Sequence, residues 1–387
     1  MEREVIVVGA GPAGATAAIG LARAGVDVLL LDRASFPRDK ICGDAVPAGA
    51  MQILRDYGMG DKLDGLITQR DIWEAKSMRL VAPSGRDVFT ELIENEHGTA
   101  SYVCPRIHFD NALYEHAVDQ GAAFQVGKVQ APLLENGRVI GVKAKIGSST
   151  EEIRSKVVIA ADGVASTIAR QVRSAQDKHK KYHRAIALRA YVEDMEMIPH
   201  TVEFFLYREI LPGYAWIFPT GDRSANIGLG MRVDKFEKTD EKLPQMLDRF
   251  MEFPEIKKRT TTSTKIRDIA TWPLNFGSQR IQRAFDGAML IGDAGGYINP
   301  LTGGGIHNAL ISGQHAANVA IDSLKSGDFS RGALERYETL CDNDMWNSMN
   351  RAYQMQRSLM NFPFLIDLLV RVMGRNSAFT KMFLEKL

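Results

Sequence analysis

The chain has 387 residues, with 48 Lys plus Arg against 47 Asp plus Glu and 45% hydrophobic residues. This is the arithmetic of a folded globular protein of two or three structural units, and it excludes disorder, collagen and a disulfide scaffold. A net charge of +1 lacks the basic surplus of a nucleic-acid coat, so no nucleic-acid partner is expected. Cys42, Cys104 and Cys341 lie far apart, and the histidines show no ligand spacing. No metal is therefore expected, and a reducing cytoplasm is the expected compartment.

Val5 to Val8 is a β-branched run suited to a strand buried on both faces, and it is too short for the core of a signal peptide. Gly9-Ala10-Gly11-Pro12-Ala13-Gly14 follows, then an Ala- and Leu-rich stretch to Ala24, then Gly25 as a helix stop. A second apolar strand, Val26 to Leu31, ends on Asp32, eighteen positions after Gly14. This β-α-β unit is the fingerprint of a dinucleotide site. Gly9 permits the tight turn, Gly11 lets the backbone approach a pyrophosphate, and Gly14 allows close packing of helix on strand. The helix N-terminus offers free N–H groups to phosphate, and Asp32 is placed to accept from a ribose diol. The fingerprint alone fits FAD and NAD(P) equally.

Further along, Tyr102-Val103-Cys104-Pro105-Arg106 precedes a helical stretch from Asn111 to Gly121, and Phe124 to Val129 reads as one strand. Residues 157–166 form a buried strand running into Asp162-Gly163, and residues 288–306 form another, ending in Gly292-Asp293 before the glycines 303–305. In this order the segments resemble the flavoprotein superfamily of aromatic hydroxylases, flavin-dependent halogenases and geranylgeranyl reductases. The resemblance implies FAD contacts at Gly9, Gly11, Ala13, Gly14, Asp32, Arg33, Arg106, Val129 (through its backbone), Asp162 and Asp293. It also implies that Gly305 and Ile306 lie by the isoalloxazine ring. No second glycine-rich fingerprint is present, so NADPH or ferredoxin is expected to dock transiently as external electron donor.

Two segments narrow the branch. Cys42-Gly43-Asp44-Ala45 resembles the Cys-Gly segment that geranylgeranyl reductases run beside the flavin, which implies contacts from Cys42, Gly43 and Ala45. Pro212-Gly213-Tyr214-Ala215-Trp216-Ile217-Phe218-Pro219 resembles that family's Pro-x-x-Tyr-x-Trp-x-Phe-Pro signature at every fixed position. On a strand, Tyr214, Trp216 and Phe218 share one face, a wall suited to a prenyl chain. The chain departs from the family at Ala45, where a glycine is frequent, and at Gly304 and Gly305, where an acid is frequent. Cys42 and Tyr214 are the expected catalytic residues, with a flavin-bound water as another proton source.

The expected fold is α/β: a discontinuous FAD-binding Rossmann-like domain (1–65, 101–175 and 270–325), a substrate domain on an antiparallel sheet (66–100 and 176–269), and a helical C-terminal region (326–387). Residues 349–387 carry six Lys or Arg against two acids beside an apolar block from Phe362 to Val370. They read either as a basic amphipathic segment covering lipid or resting on a membrane, or as a helical cap with a solvated basic face. The implied function is FAD-dependent saturation of geranylgeranyl double bonds on a prenyl-lipid substrate. The rivals are a monooxygenase or halogenase on the same fold, the latter lacking its Trp-x-Trp pair here, and a non-catalytic flavin-binding membrane-peripheral scaffold or redox sensor.

Overall fold

The computed structural model describes residues 2–92, 101–174, 177–376 and 379–380. Residues 93–100 of the expected substrate unit and 381–387 of the C-terminal region lie outside these.

The first sheet is built on parallel strands in the order Ala288–Leu290, Ser149–Ala160, Glu2–Val8, Val28–Asp32 and Ala123–Val126. Val5, Ile6, Val7, Leu30 and Leu31 have no exposed surface, as expected of strands covered on both faces. The helix Pro12–Arg23 covers one face together with Ile306–Ser326. Small residues let these two helices touch. A Cβ on Gly313 would stand 2.5 Å from the Ala13 carbonyl oxygen, and one on Gly292 2.8 Å from the Ala13 Cβ.

The strand expected over Phe124 to Val129 is two strands. Ala123–Val126 pairs in parallel with Val28–Asp32, the Gly127 N–H donates to the Asp32 carbonyl, and Lys128–Glu135 turns into a hairpin with Arg138–Ile146. Both halves are apolar enough to read as one run; the Gly127 bond is the last rung of the pairing with Val28–Asp32, and from Lys128 the chain takes a different partner, Arg138–Ile146.

The second sheet has seven strands, ordered Thr260–Asn275, Arg184–Met195, Ser224–Arg232, Tyr214–Pro219, Thr201–Phe205, Ser77–Val81 and Asp87–Glu91. It is antiparallel except for Ser77–Val81, which runs parallel to Thr201–Phe205. The Thr260–Asn275 strand pairs with Arg184–Met195 as far as Asn275. The sheet thus continues past residue 269, where the sequence reading ended it, because the apolar 270–275 stretch extends a ladder begun by polar threonines. One face, with Ala215, Ile217, Ile227 and Leu229, packs under the helix Leu243–Met251. The other face carries the aromatic side chains. A three-stranded sheet of Ala45–Pro47, Ser101–Val103 and Trp73–Ala75 supplies Val103, Trp73 and Ala75 to the cluster that holds Trp216 and Phe218.

Candidate functional site: a flavin cradle against an aromatic wall

The cradle lies where four neighbouring parallel strands end. Gly9 follows Glu2–Val8, Asp32 closes Val28–Asp32, Asp162 follows Ser149–Ala160, and Asp293 follows Ala288–Leu290. The carboxyl ends of strands in an open α/β sheet are where ligands bind. Gly9 has φ +100°, and a Cβ there would meet the Ala161 carbonyl oxygen at 2.4 Å. A Cβ on Gly14 would stand 1.8 Å from the Gly9 carbonyl oxygen. These two glycines are therefore required by the turn itself. Gly11 caps the Pro12–Arg23 helix without a side-chain hydrogen bond, leaving first-turn N–H groups for a ligand.

Asp32 is buried. Its Oδ2 accepts from the Ala10 N–H at 2.8 Å and its Oδ1 from the Ala34 N–H at 3.0 Å, so it braces the glycine turn and retains lone pairs for a ribose. Arg33 is exposed beside it. The Val129 side chain packs with Val8 and Leu31 in the core, and its strand begins next to the residue bonded to Asp32.

Arg106 opens the helix Arg106–Asp119 and is buried. It grips Asp110 in a two-pronged ion pair, Nε to Oδ1 at 2.6 Å and Nη2 to Oδ2 at 2.7 Å, and Arg38 adds a third bond to Asp110 at 2.7 Å. Both guanidiniums lie beside Gly11, each Nη2 3.9 Å from where its Cβ would be. Arg38 also reaches Asp32 Oδ2 at 3.5 Å, so the two guanidiniums are balanced by two carboxylates and bring N–H donors rather than net charge to the phosphate turn. Asp110 stands four residues after Arg106, a spacing that makes such a pair readable on a helix; sequence reasoning missed it, along with Arg38.

The Asp162 Oδ2 accepts from the Thr167 N–H at 2.7 Å, while its Oδ1 is buried with no partner among the described residues, and burial raises its pKa. Asp293 pairs with Lys40 at 3.5 Å, and a Cβ on Gly305 would lie 3.5 Å from its Oδ1. Gly305 caps the 21-residue helix Ile306–Ser326, again with no side chain closing the end. An orphaned buried carboxylate oxygen, two uncapped helix starts and a glycine turn closed to side chains together fit a dinucleotide such as FAD.

At the other end of the cradle, the Cys42-Gly43 loop meets the aromatic face. A Cβ on Gly43 would stand 3.6 Å from Trp216 and Phe218. Tyr214, Trp216 and Phe218 follow one another at ring separations of 5.9 and 6.1 Å, with Phe204 edge-on to Tyr214 and Phe218. Tyr214 donates its hydroxyl hydrogen to the Thr302 carbonyl, tying the wall to the glycine loop before Ile306, and burial raises its pKa. Cys42 is half-buried, and Ala45 begins the strand paired with Val103. The structure thus brings together Cys42, Gly43, Tyr214, Trp216, Phe218 and the 302–305 loop.

A polar bridge not foreseen from the sequence runs alongside the wall on the same sheet face, with Asn226 directly opposite Phe218 on the next strand. Asn226, fully buried, accepts from Trp216 Nε1 at 2.9 Å and donates to the Cys42 carbonyl and to Asp44 Oδ2, both at 2.8 Å. Tyr191 donates to the same Asp44 oxygen at 2.7 Å. Nothing in the local sequence around Asn226 marks it, since its partners come from segments more than 180 residues upstream and from the adjacent strand. Among the described residues no group of side chains is arranged to hold a metal ion.

A Rossmann-like sheet with this cradle and an aromatic-walled second sheet define an FAD-dependent oxidoreductase. The family model described as "FAD binding domain" matches residues 2–352. Digeranylgeranylglycerophospholipid reductase 2 of Methanopyrus kandleri is 32% identical over 368 residues, covering 92% of this chain and 86% of that protein. The digeranylgeranylglycerophospholipid reductase of Methanosphaerula palustris is 34% identical over 341 residues, 87% of this chain and 81% of the relative. A solved geranylgeranyl bacteriochlorophyll reductase-like protein from Thermoplasma acidophilum superposes with a TM-score of 0.86 at 27% identity, covering 97% of this chain and 92% of that one. A flavin-dependent brominase, 22% identical with a TM-score of 0.78 and covering 97% of this chain and 94% of its own, shares the fold. The chain belongs to the FAD-binding family and, within it, to the digeranylgeranylglycerophospholipid reductases.

Proposed function

We propose that this protein saturates isoprenoid double bonds of a digeranylgeranylglycerophospholipid, with FAD as its resident redox group. The observation that carries the reading is the aromatic face of Tyr214, Trp216 and Phe218 pressed against the Cys42-Gly43 loop at the end of the cradle. Gly9, Gly11, Ala13, Gly14, Asp162 and Asp293 would hold the pyrophosphate and ribityl chain, Asp32, Arg33 and Val129 would hold the adenosine, and Arg106 would bring its guanidinium beside the phosphate turn. Gly305, Ile306, Gly43 and Ala45 would border the ring, where the uncapped start of the Ile306–Ser326 helix would favour negative charge. Reduced FAD supplies a hydride equivalent.

An isolated alkene has no carbonyl to stabilise charge, so the protein contributes orientation and exclusion of water. Trp216 and Phe218 are 6% and 4% exposed, covered by the Cys42-Gly43 loop and by Trp73, Ala75 and Val103, so water is kept from this side of the site. Cys42 lines the reacting end, and Tyr214 fixes the wall to the 302–305 loop. NADPH or ferredoxin delivers electrons by transient docking.

The lipid is drawn from a membrane surface by the C-terminal segment. On the helix Phe364–Met373, Ile366, Val370 and Met373 pack on Ala82 and Val88, leaving Phe364 and Leu368 exposed at 62% and 51% beside Phe362 at 53%. Arg371 and Arg375 line a groove with Arg86 and Asp87 at the end of this helix, three cations against one carboxylate, an excess suited to anionic headgroups. No helix among the described residues is long and apolar enough to cross a membrane.

The test is anaerobic. Protein reduced with dithionite is incubated with the geranylgeranyl lipid, and mass spectrometry looks for two added hydrogens per double bond. Unchanged lipid, with oxygen-dependent NADPH consumption on an aromatic substrate instead, would support the monooxygenase reading.

A further inference from the structure

Next to Cys42 lies a fully buried carboxyl to which the reaction as described gives no task. Asp44 is 0% exposed and stands at φ +63°, the left-handed region that few residues other than glycine occupy. Its N–H points at Cys42 Sγ at 3.4 Å, and its carbonyl accepts from the Cys104 N–H at 2.7 Å, so the backbone is held in this conformation from both sides. On the side chain, Oδ2 receives two hydrogen bonds, from Tyr191 and Asn226. Oδ1 is buried and has no partner among the described residues. Two donors on Oδ2 leave Oδ1 as the place for a proton, and a buried hydroxyl with nothing to donate to is rare unless a ligand or water meets it.

We propose that Asp44 is the catalytic acid of the reduction, giving the proton on Oδ1 to the alkene carbon that does not receive the hydride. The proposal rests on the isoprenoid-reductase reading above. The alkene gains a hydride equivalent at one carbon at the expense of two flavin electrons. Its π pair then forms the second C–H bond with the Asp44 proton, and Asp44 is left as a carboxylate that regains a proton from solvent.

The surroundings keep the acid loaded near neutral pH. Burial pushes the Asp44 carboxyl up to about 7, against the opposing hydrogen bonds of Tyr191 and Asn226 and the positive charges of Arg106 and Arg189. Arg189 is itself tied to Asp39 at 2.5 Å. The other titratable groups facing Asp44 are the Cys42 and Cys104 thiols and the Tyr191 hydroxyl. Burial raises the pKa of Cys104 and of Tyr191, so both stay neutral. The Tyr214 hydroxyl hydrogen is engaged by Thr302. Asp44 therefore combines a transferable proton, proximity to the Cys42-Gly43 loop and a free donor position.

The decisive variant is Asp44→Asn, whose amide oxygen still accepts from Tyr191 and Asn226 but whose nitrogen cannot surrender a proton. FAD-loaded protein, reduced with dithionite, is mixed anaerobically with the digeranylgeranyl lipid, and flavin reoxidation and product are followed in a single turnover. Product from the wild-type protein is required first, and its absence defeats the reductase reading rather than this one. The wild-type rate constant should be level at low pH and fall about tenfold per unit above about 7. Asp44→Asn should lose more than about tenfold and show no such fall, while its reoxidation by O2 stays normal. Tyr191→Phe, lacking one donor to the carboxylate, should move the fall to higher pH. Without any turnover, infrared difference spectra of oxidised protein between about pH 6 and pH 8 should show a carboxylic acid C=O band that Asp44→Asn lacks. Should Asp44→Asn fail to fold, Tyr191→Phe decides, by the shift of its pH profile and by a matching shift in the titration of the infrared band. A loss under about tenfold, a retained fall in Asp44→Asn, an unmoved Tyr191→Phe profile, or no titrating band in the wild type would each overturn the assignment.

Discussion

Arg106 shows how charge placement at single residues serves the site. Its guanidinium and that of Arg38 converge on Asp110, which has no exposed surface. Removing one partner of a buried pair strands the other, at a typical cost of about 3–5 kcal/mol. Arg106→Ala should therefore lower the thermal midpoint and weaken FAD binding together, the low end of that range applying because Arg38 remains. Fluorescence titration with FAD and a melting curve check both, and an unchanged FAD affinity would remove Arg106 from the cradle. Asp44 makes an opposite statement about pH. Its folded pKa, about 7, lies above the ordinary 3.8, so its contribution to stability is full below 3.8 and is lost as pH rises through 7. Apoprotein melts of Asp44→Asn and wild type should accordingly differ in the variant's favour at about pH 8 and converge or reverse near pH 5. At this scale the sequence was legible where a residue's job is local. Gly9, Gly14 and Asp32 serve one turn, and their spacing shows it. Asn226 and Tyr191 serve a loop far away in sequence, and no local pattern carries that information.

Among the elements, the β-α-β unit was readable because glycine spacing, helix propensity and buried strand all agree within thirty residues. Gly14 tests it. A methyl group 1.8 Å from the Gly9 carbonyl oxygen cannot be accommodated without moving the turn, so Gly14→Ala should purify without bound flavin, as read from visible absorbance. The strand through Val129 divides in two because apolar sequence continues across Gly127 while the pairing partner changes there, from Val28–Asp32 to Arg138–Ile146. Likewise the Thr260–Asn275 strand opens with exposed threonines, so its membership of the second sheet shows only from the partner strand. For the C-terminal helix, amphipathicity was visible but not what its two faces meet. Ile366 and Val370 are buried on the second sheet, and Phe364 and Leu368 face outward. Changing both outward residues to Glu should abolish sedimentation with vesicles containing anionic phospholipid while leaving dithionite-driven flavin reduction intact. Unchanged sedimentation would assign the helix a capping role instead.

Across the whole molecule, the parallel sheet supplies the cradle, the second sheet supplies the wall, and the site lies where Gly43 meets Trp216 and the 302 loop meets Tyr214. FAD binding to the folded protein alone must stabilise it, by about 2.7 kcal/mol at a hundredfold excess over Kd. The melting temperature should climb with added FAD in a flavin-stripped preparation. The relatives and the aromatic wall point to the same chemistry, and the two sheets are arranged to join a hydride source to hydrocarbon and keep water out.

Product formation tests this chemistry most directly. Dithionite-reduced, FAD-loaded protein incubated without oxygen with a digeranylgeranylglycerophospholipid should yield lipid heavier by two hydrogens for every bond saturated, with stoichiometric reoxidation of the flavin. Recovery of the lipid at its starting mass, from protein whose flavin is shown to be reduced, would contradict it.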